Sequence, residues 1–526
     1  MYLHVIVAYF LLFWWPDARP TEPWFDRVGT CLTFVLAKPA FFFLAGAWMS
    51  ARVRRVNGMS ADRTQRMQHR YHWGSFLLSA ATVVAFAADV GLTTWPELIR
   101  GLPGVQAIPG LADVVILLPF FVSLVLLWVA SYPVDRSVRE ATLRVRQMET
   151  PGAPRPAVWS LGGYLLFQIR HQLLIAAVPM TLILVAFRWA ERSRDTLMHW
   201  LRVPWASQLV LGLAALLVFV LAPVMLRYIW STEPLPDGPL RRRLEGLCGR
   251  IGLRYREILI WRSQHMMVNA AVMGLFPQVR YILLSDALLE SLDEPKIVGV
   301  FGHEAGHVRL HHIPYFLLFA ICGMLLVSGF VEILIRISDP AAPLVPLSDG
   351  TIETSGFLGV LVVWGVGFGW ISRRFERQAD LYGVRCLAQL VARCELPCGR
   401  HPGGLPGNPD ALCATAAGTF VATLDRVAVL NGIPHNERSW RHSSMASRMQ
   451  FLLSLAGDVV RLRMYDRLIR WVKAGLWVGA VVGLGIAGVY ISTRPEYRAV
   501  VRHNFITPFV GDGHPSPNAS ESEHGR

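Results

Sequence analysis

The chain has few charged residues and almost no lysine. Asp, Glu, Lys and Arg make up 17% of its 526 residues, hydrophobic residues make up 53%, and the only lysines are Lys38, Lys296 and Lys473. Because a soluble domain of this size could not bury so much apolar surface, the composition excludes an ordinary soluble protein. No module typical of RNA or DNA binding is present either, so the net charge of +14 does not indicate a nucleic-acid partner.

The sequence also lacks a C-x-x-C pair, and the spacing of its seven cysteines matches no zinc-finger pattern. We therefore expect reduced thiols in the core or in loops, with a Cys394–Cys398 disulfide as the alternative. No basic residue precedes the first apolar run and no small-residue cleavage site follows it, so a cleaved signal peptide is not expected.

Long apolar runs are abundant. A run of about 17–25 residues can cross a bilayer as a helix. The run at 2–15 is shorter and is expected to be a short or tilted span. The longer runs lie at 28–50, 74–93, 111–132, 172–188, 207–230, 313–335, 356–372 and 472–492. They predict a multi-spanning α-helical membrane protein with the lipid bilayer as a partner.

Arginines between these runs indicate how the chain is oriented. By the positive-inside rule, the basic loops at 51–70 and 133–170 lie on the cytoplasmic side. The basic segment 188–202 conflicts with this assignment, because alternation places it outside. The longer region that begins with three consecutive arginines at 241–243 decides the orientation. We therefore expect a catalytic region on the cytoplasmic side of a bacterial inner membrane.

The apolar and polar stretches divide the chain into six regions. The polar stretches are expected to be two halves of one α+β domain, with a transmembrane hairpin between them. The regions are the N-terminal membrane region of about six spans (1–230), the first polar half (231–312), the hairpin (313–372), the second polar half (373–470), a C-terminal span (471–493) and a largely disordered tail (494–526).

The first polar half contains the H-E-x-x-H pattern as His303-Glu304-Ala305-Gly306-His307. Residues i and i+4 lie on one face of a helix, so His303 and His307 can bind one zinc ion. Glu304 can then act as the general base for a water molecule activated by the metal. The acids and the proline at 293–295 predict a helix start shortly before the motif. The alternative is a chance match on a solvated helix.

A catalytic zinc ion usually has three protein ligands and one open position. On a straight helix His311 would lie about 12 Å from His303, so His311 and His312 are expected to be helix-end residues. Glu376 and Asp380 are again four residues apart. We predict that Glu376 is the third ligand and that Asp380 accepts a hydrogen bond from a ligating histidine. The alternative is ion pairing of both acids with neighbouring arginines.

The H-E-A-G-H motif, followed about seventy residues later by E-R-Q-A-D at 376–380, resembles the membrane gluzincins, the family of HtpX-type proteases and CAAX prenyl endopeptidases. The resemblance covers roughly 240–455. It implies an inserted α+β zincin-like (gluzincin) catalytic domain, one zinc ion per chain, and cleavage of a peptide or membrane protein in quality control or processing. Cleavage of prenylated CAAX proteins is the alternative.

The resemblance implies further site residues. The family carries N-A-x-x-x-G before its zinc helix, and here this stretch begins at Asn269 and Ala270 and ends at Gly274. These residues are expected to bind substrate along an exposed edge strand, with an ordinary hairpin strand as the alternative.

The family also has a histidine and an arginine six residues apart after the third ligand, which correspond to His442 and Arg448. His442 is expected to stabilise an oxyanion. Arg448 is expected to pair with Asp380 or Glu376, or to bind substrate. The chain has Ser443 where the family usually has proline, which departs from the pattern.

Two other classes of protein stay open. A non-proteolytic zinc-binding membrane scaffold or sensor would close the metal with a fourth ligand, such as His442 or His311. A transporter-like bundle would carry many ionisable groups deep within its spans, and beyond Lys38 and Glu332 few are found. Asn408-Pro409-Asp410 faintly resembles the site-2 proteases but lies in a polar loop. The sequence does not predict the oligomeric state.

Overall fold

The computed structural model is mostly helical, with one small sheet. It describes residues 2–493 apart from 15–27, 55–60, 150–157, 204–205, 264–266, 339–344, 395–397, 403–406 and 438–439. The tail predicted at 494–526 lies outside the described residues.

Nine helices precede the sheet in the described part of the chain. They are α1 (Tyr2–Trp14), α2 (Val28–Arg54), α3 (Ala61–Leu92), α4 (Trp95–Arg100), α5 (Leu111–Glu149), α6 (Leu161–Gln168), α7 (Ile175–Arg192), α8 (Arg194–Leu201) and α9 (Ala206–Ile229). A π-helical turn at Ile169–Leu174 joins α6 to α7. Phe86, Phe120 and Tyr164 are fully buried in the shared core of these helices.

Eight helical stretches among the described residues are long and apolar enough to cross a membrane. They are Val28–Arg54, Arg70–Leu92, Leu111–Glu140, Leu161–Arg192, Ala206–Ile229, His312–Ile337, Gly350–Ala388 and Val459–Tyr490. Each coincides with an apolar run predicted from the sequence, whereas the run at 2–15 forms a helix that is apolar only over Leu3–Leu12. The molecule is therefore an integral, multi-pass membrane protein, as predicted.

Charged residues inside the N-terminal helices are paired. The Lys38 ammonium contacts the buried Asp89 carboxylate and donates to the Ala85 carbonyl at 3.0 Å. Arg188 donates to both carboxylate oxygens of the buried Asp113, at 2.7 and 2.8 Å. The positive charge of Arg188 is therefore neutralised by an acid within the bundle. This reduces the conflict between the basic segment 188–202 and its predicted location on the outer side of the membrane.

The sheet holds four strands in the order β1-β2-β4-β3. They are β1 (Thr232–Pro234), β2 (Glu257–Trp261), β3 (Ala270–Met273) and β4 (Tyr281–Ser285). β2 and β4 are parallel, and both outer pairings are antiparallel. Every residue of β4 is buried, as expected of a central strand covered on both faces. β3 lies at an edge of the sheet, where the sequence predicts an exposed strand.

The remaining helices build the polar halves and the last spans. They are α10 (Pro239–Ile251), α11 (Asp286–Ser291), α12 (Glu294–Arg309), α13 (His312–Ile337), α14 (Asp349–Val362), α15 (Gly369–Ala388), α16 (Ala414–Leu430), α17 (Met445–Leu455) and α18 (Val459–Thr493). Phe301 on α12, Leu387 on α15 and Phe420 on α16 share one core with the sheet.

The helices α13, α14 and α15 bring the second polar half back beside the first. A Cβ placed on Gly323 or Gly356 would lie 2.8–2.9 Å from Val363 or Val331, so these small residues permit close helix packing. A π-helical turn at Val363–Phe368 joins α14 to α15. The helical stretch Gly350–Ala388 therefore continues past residue 372, where the sequence predicts the hairpin to end. It continues because it contains no proline and because its later turns pack into the core.

Candidate active site

The helix α12 carries the H-E-x-x-H motif and begins where the sequence predicts. The Asp293 carboxylate caps it by accepting the Lys296 N–H at 3.1 Å, and Pro295 lies in the first turn. Its core-facing residues, Val298 and Phe301 among them, are fully buried. This anchoring leaves the motif residues on the side of the helix that faces α15 and an open cavity.

The helices α12 and α15 approach each other closely at the motif. A Cβ on Gly302 would lie 2.9 Å from the Cys386 Cβ and 3.2 Å from the Gly383 Cα. A Cβ on Gly306 would lie 3.0 Å from the Tyr382 Cβ. Glycine at these positions therefore lets the acids on α15 reach the histidines on α12.

His303, His307 and Glu376 form a group that can hold one metal ion, with one ligand atom from each residue and all three atoms within 4.8 Å of one another. The two Nε2 atoms are 3.3 Å apart, and each lies 3.7 Å from an oxygen of Glu376. Ligand atoms around a tetrahedral zinc ion with bonds of about 2.0–2.1 Å are about 3.3–3.4 Å apart. The group therefore fits zinc, with only a small closure on the carboxylate side.

An acid and an arginine orient His303. The His303 Nδ1 lies 2.8 Å from Asp380, whose carboxylate is fully buried. Arg448 donates to both oxygens of Asp380, at 2.9 and 2.5 Å. Burial opposes the charged form of His303, but Asp380 outweighs it and raises the pKa of the imidazole. With its Nδ1 proton donated to Asp380, His303 presents the Nε2 lone pair to the metal position.

His312 orients His307, and sequence reasoning missed this role. Its Nδ1 lies 3.0 Å from the His307 Nδ1, and its Nε2 lies 3.0 Å from the Gln378 side-chain oxygen. His312 is fully buried and stacks on Phe375 at 4.4 Å. When His307 donates its Nδ1 proton to His312, which in turn donates to Gln378, the His307 Nε2 is free to bind a metal. Burial, followed by the charge of His303, lowers the pKa of His307 to about 4 and keeps it neutral.

His312 holds this position because α12 stops before it. Leu310 closes α12, and His311 adopts the left-handed conformation with φ of 59°. A new helix therefore starts at His312 and turns that residue back toward His307. His311 lies at the helix junction, as predicted. The only sequence signal for His312 was a histidine five residues after the second motif histidine.

Glu304 lines the same cavity without belonging to the metal group. Burial raises the pKa of its carboxyl to about 7, although the Val272 N–H donates to it from strand β3. A carboxyl group with a pKa near neutrality can accept a proton and return it at physiological pH. The arrangement can therefore support general acid–base chemistry beside a metal.

His442 reaches the site from the segment before α17. Its Nδ1 lies 3.0 Å from Glu376, and it lines the cavity. It is not in the metal-binding group, and neither is His311, so the described residues bring three ligands together here and no fourth. This leaves one position open, unlike the closed site of a structural metal.

The cavity has a volume of about 570 Å³ and has one polar and one apolar wall. The polar wall carries His303, Glu304 and Glu376 together with Asn269 and Arg448, whereas Phe420, Leu424 and Val427 on α16 form the apolar wall. Two other residues predicted to bind substrate lie elsewhere. Ala270 is buried in β3. Gly274 lies in the following turn with φ of +112°, where a Cβ would lie 2.4 Å from the Val279 carbonyl oxygen. Neither Ala270 nor Gly274 is among the residues that line the cavity.

Known proteins resemble the part of the chain that builds this site. Residues 234–396 match the model of peptidase family M48. The CAAX prenyl protease 1 homolog of Arabidopsis thaliana is 30% identical over 203 residues, which cover 34% of this chain and 44% of that protein. The match therefore spans less than half the length of that relative.

Two further known proteins resemble the chain. The protease HtpX homolog of Bordetella pertussis is 27% identical over 210 residues, which cover 35% of this chain and 67% of that protein. The crystal structure of S. mikatae Ste24p aligns with 82% of this chain and 100% of that chain, with 17% identity and a TM-score of 0.42.

His303, His307 and Glu376 all lie within the matched segment. Residues 234–396 thus match peptidase family M48, and the resemblance to the membrane gluzincins predicted from the motifs is confirmed.

Proposed function

We propose that the chain is an integral-membrane, zinc-dependent endopeptidase. The observation that carries this proposal is that a three-residue metal group with an open position borders, through His303 and Glu376, the cavity that also contains the separate Glu304 carboxyl group suited to proton transfer. The six-region division of the chain stays a prediction, with the catalytic domain formed by 231–312 and 373–470.

In this proposal His303, His307 and Glu376 hold one zinc ion per chain. When bound, zinc polarises a peptide carbonyl and makes water acidic enough to attack it near neutral pH. Glu304 takes the proton from that water and returns it to the leaving amine. Its burial supports this role, because a pKa near 7 lets the same carboxyl group act as base and then as acid.

The remaining polar groups support the reaction. Asp380 and Arg448 act through His303, whose orientation they fix, rather than on the substrate. His442 borders the cavity beside Glu376, where an imidazole N–H could donate to the oxyanion that forms during hydrolysis.

The substrate is proposed to lie along strand β3 as an extended peptide. This strand is at the sheet edge, and its neighbouring residue Asn269 lines the cavity. Asn431, at the C-terminal end of α16, makes two hydrogen bonds to the backbone of Val268, 3.1 and 2.9 Å long, which hold the chain that leads into this edge strand. Backbone pairing along β3 would supply affinity, and the apolar wall of α16 would select an apolar side chain.

The biological setting we propose is membrane-protein quality control or processing, with the site on the cytoplasmic side of a bacterial inner membrane. The alternative of a CAAX-type prenyl-protein endopeptidase is favoured by the names of several relatives and by the apolar wall of the cavity. A scaffold or sensor that binds zinc only structurally would have no need for Glu304 beside an open metal position.

The test compares the wild-type protein, purified in detergent, with Glu304→Gln. We expect both proteins to bind zinc and cleavage of casein or a membrane-protein substrate to fall about 10²–10⁴-fold in the variant, the range for losing a general acid–base group. Glu290→Gln is the matched control, because Glu290 is exposed on α11 and lies outside the cavity lining. Retained cleavage by a zinc-loaded Glu304→Gln protein would refute the assigned role.

The same preparation separates the two substrate classes. A farnesylated peptide with a CAAX end is compared with the same peptide without the lipid. Equal cleavage of both, together with cleavage of casein, supports the general endopeptidase. Cleavage restricted to the farnesylated peptide supports the alternative.

A further inference from the structure

A second group of ligand-type side chains lies in the segment between α15 and α16. Cys394, Cys398, His401 and Cys413 each direct one sulfur or nitrogen atom to a common point, and all four atoms lie within 4.8 Å of one another. The His401 Nδ1 is 3.3 Å from the Sγ atoms of Cys394 and Cys398 and 3.6 Å from that of Cys413. The Sγ atoms of Cys394 and Cys413 are 3.6 Å apart.

These separations match those of a tetrahedral zinc site. With zinc–sulfur bonds of about 2.3 Å and zinc–nitrogen bonds of about 2.0–2.1 Å, neighbouring sulfurs are about 3.8 Å apart and a sulfur and a nitrogen about 3.5 Å apart. The four distances given above agree with these values within about 0.2 Å. Three thiols and an imidazole are also the ligands of one common type of structural zinc site.

Ordinary core packing does not account for this arrangement. Single buried cysteines usually behave as small hydrophobic residues, and Cys248 and Cys386 are of that kind, within the apolar core. All three cysteines of the second group are free thiols. Cys394 and Cys413 also border this core, and Cys398 packs against it. Unlike Cys248 and Cys386, however, all three direct their sulfur atoms to within 3.6 Å of the Nδ1 of one histidine. The disulfide considered between Cys394 and Cys398 is not formed.

The backbone around the group is folded tightly enough to hold the ligands. The Cys394 N–H donates to the Pro402 carbonyl at 3.0 Å, and the Arg400 Nε donates to the Pro409 carbonyl at 2.5 Å. Gly399 passes so close to the returning chain that a Cβ would lie 2.4 Å from the Gly407 carbonyl oxygen. The described residues of this segment are therefore held close together around the four side chains.

We propose that Cys394, Cys398, His401 and Cys413 bind a second, structural zinc ion. Four protein ligands close its coordination, so this ion takes no part in hydrolysis. The three thiols lose their protons on binding, and His401 binds through Nδ1 as a neutral imidazole. The C-x3-C-x2-H-x11-C spacing fits none of the common patterns, which is why the sequence alone predicts no such site.

The position of the ion gives it a structural purpose. Cys394 follows α15, the helix that carries Glu376 and Asp380, and Cys413 immediately precedes α16, the helix that forms the apolar wall of the cavity. The ion fixes the start of α16 relative to the end of α15. It thereby fixes the width of the cavity without touching the substrate.

The experiment measures the zinc content of the full chain, purified in detergent under reducing conditions. We expect two zinc ions per chain, and a thiol-specific mercurial should release one of them from the wild-type protein. Cys398→Ser and Cys413→Ser should each retain one ion, whereas Cys322→Ala should retain two, because Cys322 lies on α13 away from the group. His303→Ala should lose the other ion and keep the one that the mercurial releases.

Cobalt substitution supplies a readout independent of activity. Cobalt-loaded wild-type protein and His303→Ala should both show thiolate-to-cobalt charge-transfer absorption, and Cys398→Ser should show it much reduced. One zinc ion per chain that the mercurial leaves in place would overturn the proposal, and so would a disulfide among the three cysteines in the reduced protein. The mercurial test needs no substitution, so misfolding of a variant does not obscure the result. Because the His303 site is measured separately, failure of the active-site proposal can be distinguished from failure of the second-zinc proposal.

Discussion

At the scale of single residues, each metal-facing histidine of the candidate active site depends on a partner behind it. Asp380 and Arg448 stand behind His303, and His312 stands behind His307. These partners determine which ring nitrogen carries the proton, and a ligand with the proton on the wrong nitrogen cannot bind the metal. The two arrangements differ in chemistry. The partners of His303 are a charged pair, Asp380 and Arg448, whereas His312 is itself bonded to the neutral amide of Gln378.

We predict that His312→Phe weakens zinc binding about 10–100-fold, the range seen when such supporting partners are removed. Phenylalanine keeps the ring that stacks on Phe375 but leaves the His307 Nδ1 without its partner. Competition with a chromogenic chelator measures the affinity. The neighbouring His311→Asn is the control, because asparagine tolerates the left-handed backbone at that position. Unchanged affinity in His312→Phe would show that His307 needs no such support.

Residue-scale prediction from the sequence succeeded where one regular helix fixes the geometry. The four-residue spacing places His303 beside His307 and Glu376 beside Asp380, and the structure brings these four side chains together. It failed at His312, because a straight helix was assumed and the chain turns at His311. The second cysteine–histidine group was missed for a related reason, since an irregular segment rather than a helical repeat brings it together.

At the scale of elements, the site depends on how closely α12 and α15 pack. Gly302 precedes the motif and Gly306 lies within it, and both face α15 with no room for a side chain. The sequence predicted the helix that carries the H-E-x-x-H motif and the edge strand that is β3. It did not predict the distance between the helices, because that distance is set by contacts between residues about eighty positions apart.

We predict that Gly302→Ala lowers zinc affinity and the free energy of unfolding, the latter by about 1–3 kcal/mol, as is typical of overpacking. The added methyl group would lie 2.9 Å from the Cys386 Cβ, which cannot move without its backbone, so α12 and α15 must separate. Chemical denaturation and chelator competition measure the two effects. Gly418→Ala on α16 is the control, because nothing lies within 4 Å of its added methyl group. Equal behaviour of the two variants would mean that close packing at Gly302 is not needed.

At the scale of the whole molecule, two helical stretches long enough to cross a membrane, His312–Ile337 and Gly350–Ala388, separate the two groups of candidate site residues in sequence. His303 and His307 lie before α13, and Glu376 lies after α14. Glu376 is on α15, which continues the apolar helical stretch that begins at Gly350. Composition was enough to predict the spans, because long apolar runs have few alternatives to crossing a bilayer. Composition was not enough to decide which polar regions lie on the cytoplasmic side. The positive-inside rule counts arginines, and arginines paired with acids, such as Arg188, contribute less to orientation than their number suggests.

We predict that an epitope tag inserted after Pro236 lies on the opposite side of the membrane from one inserted after Pro346. Both positions are exposed, and α13, which is long and apolar enough to cross the membrane once, lies between them. Because the arginine-rich loop at 51–70 and the region after 241 should share the cytoplasmic side, the Pro346 tag should be reached by antibody in intact spheroplasts. The Pro236 tag should be reached only after permeabilisation. Tags that are both accessible from outside would mean that α13 does not cross, and the reverse pattern would place the candidate active site on the outer face.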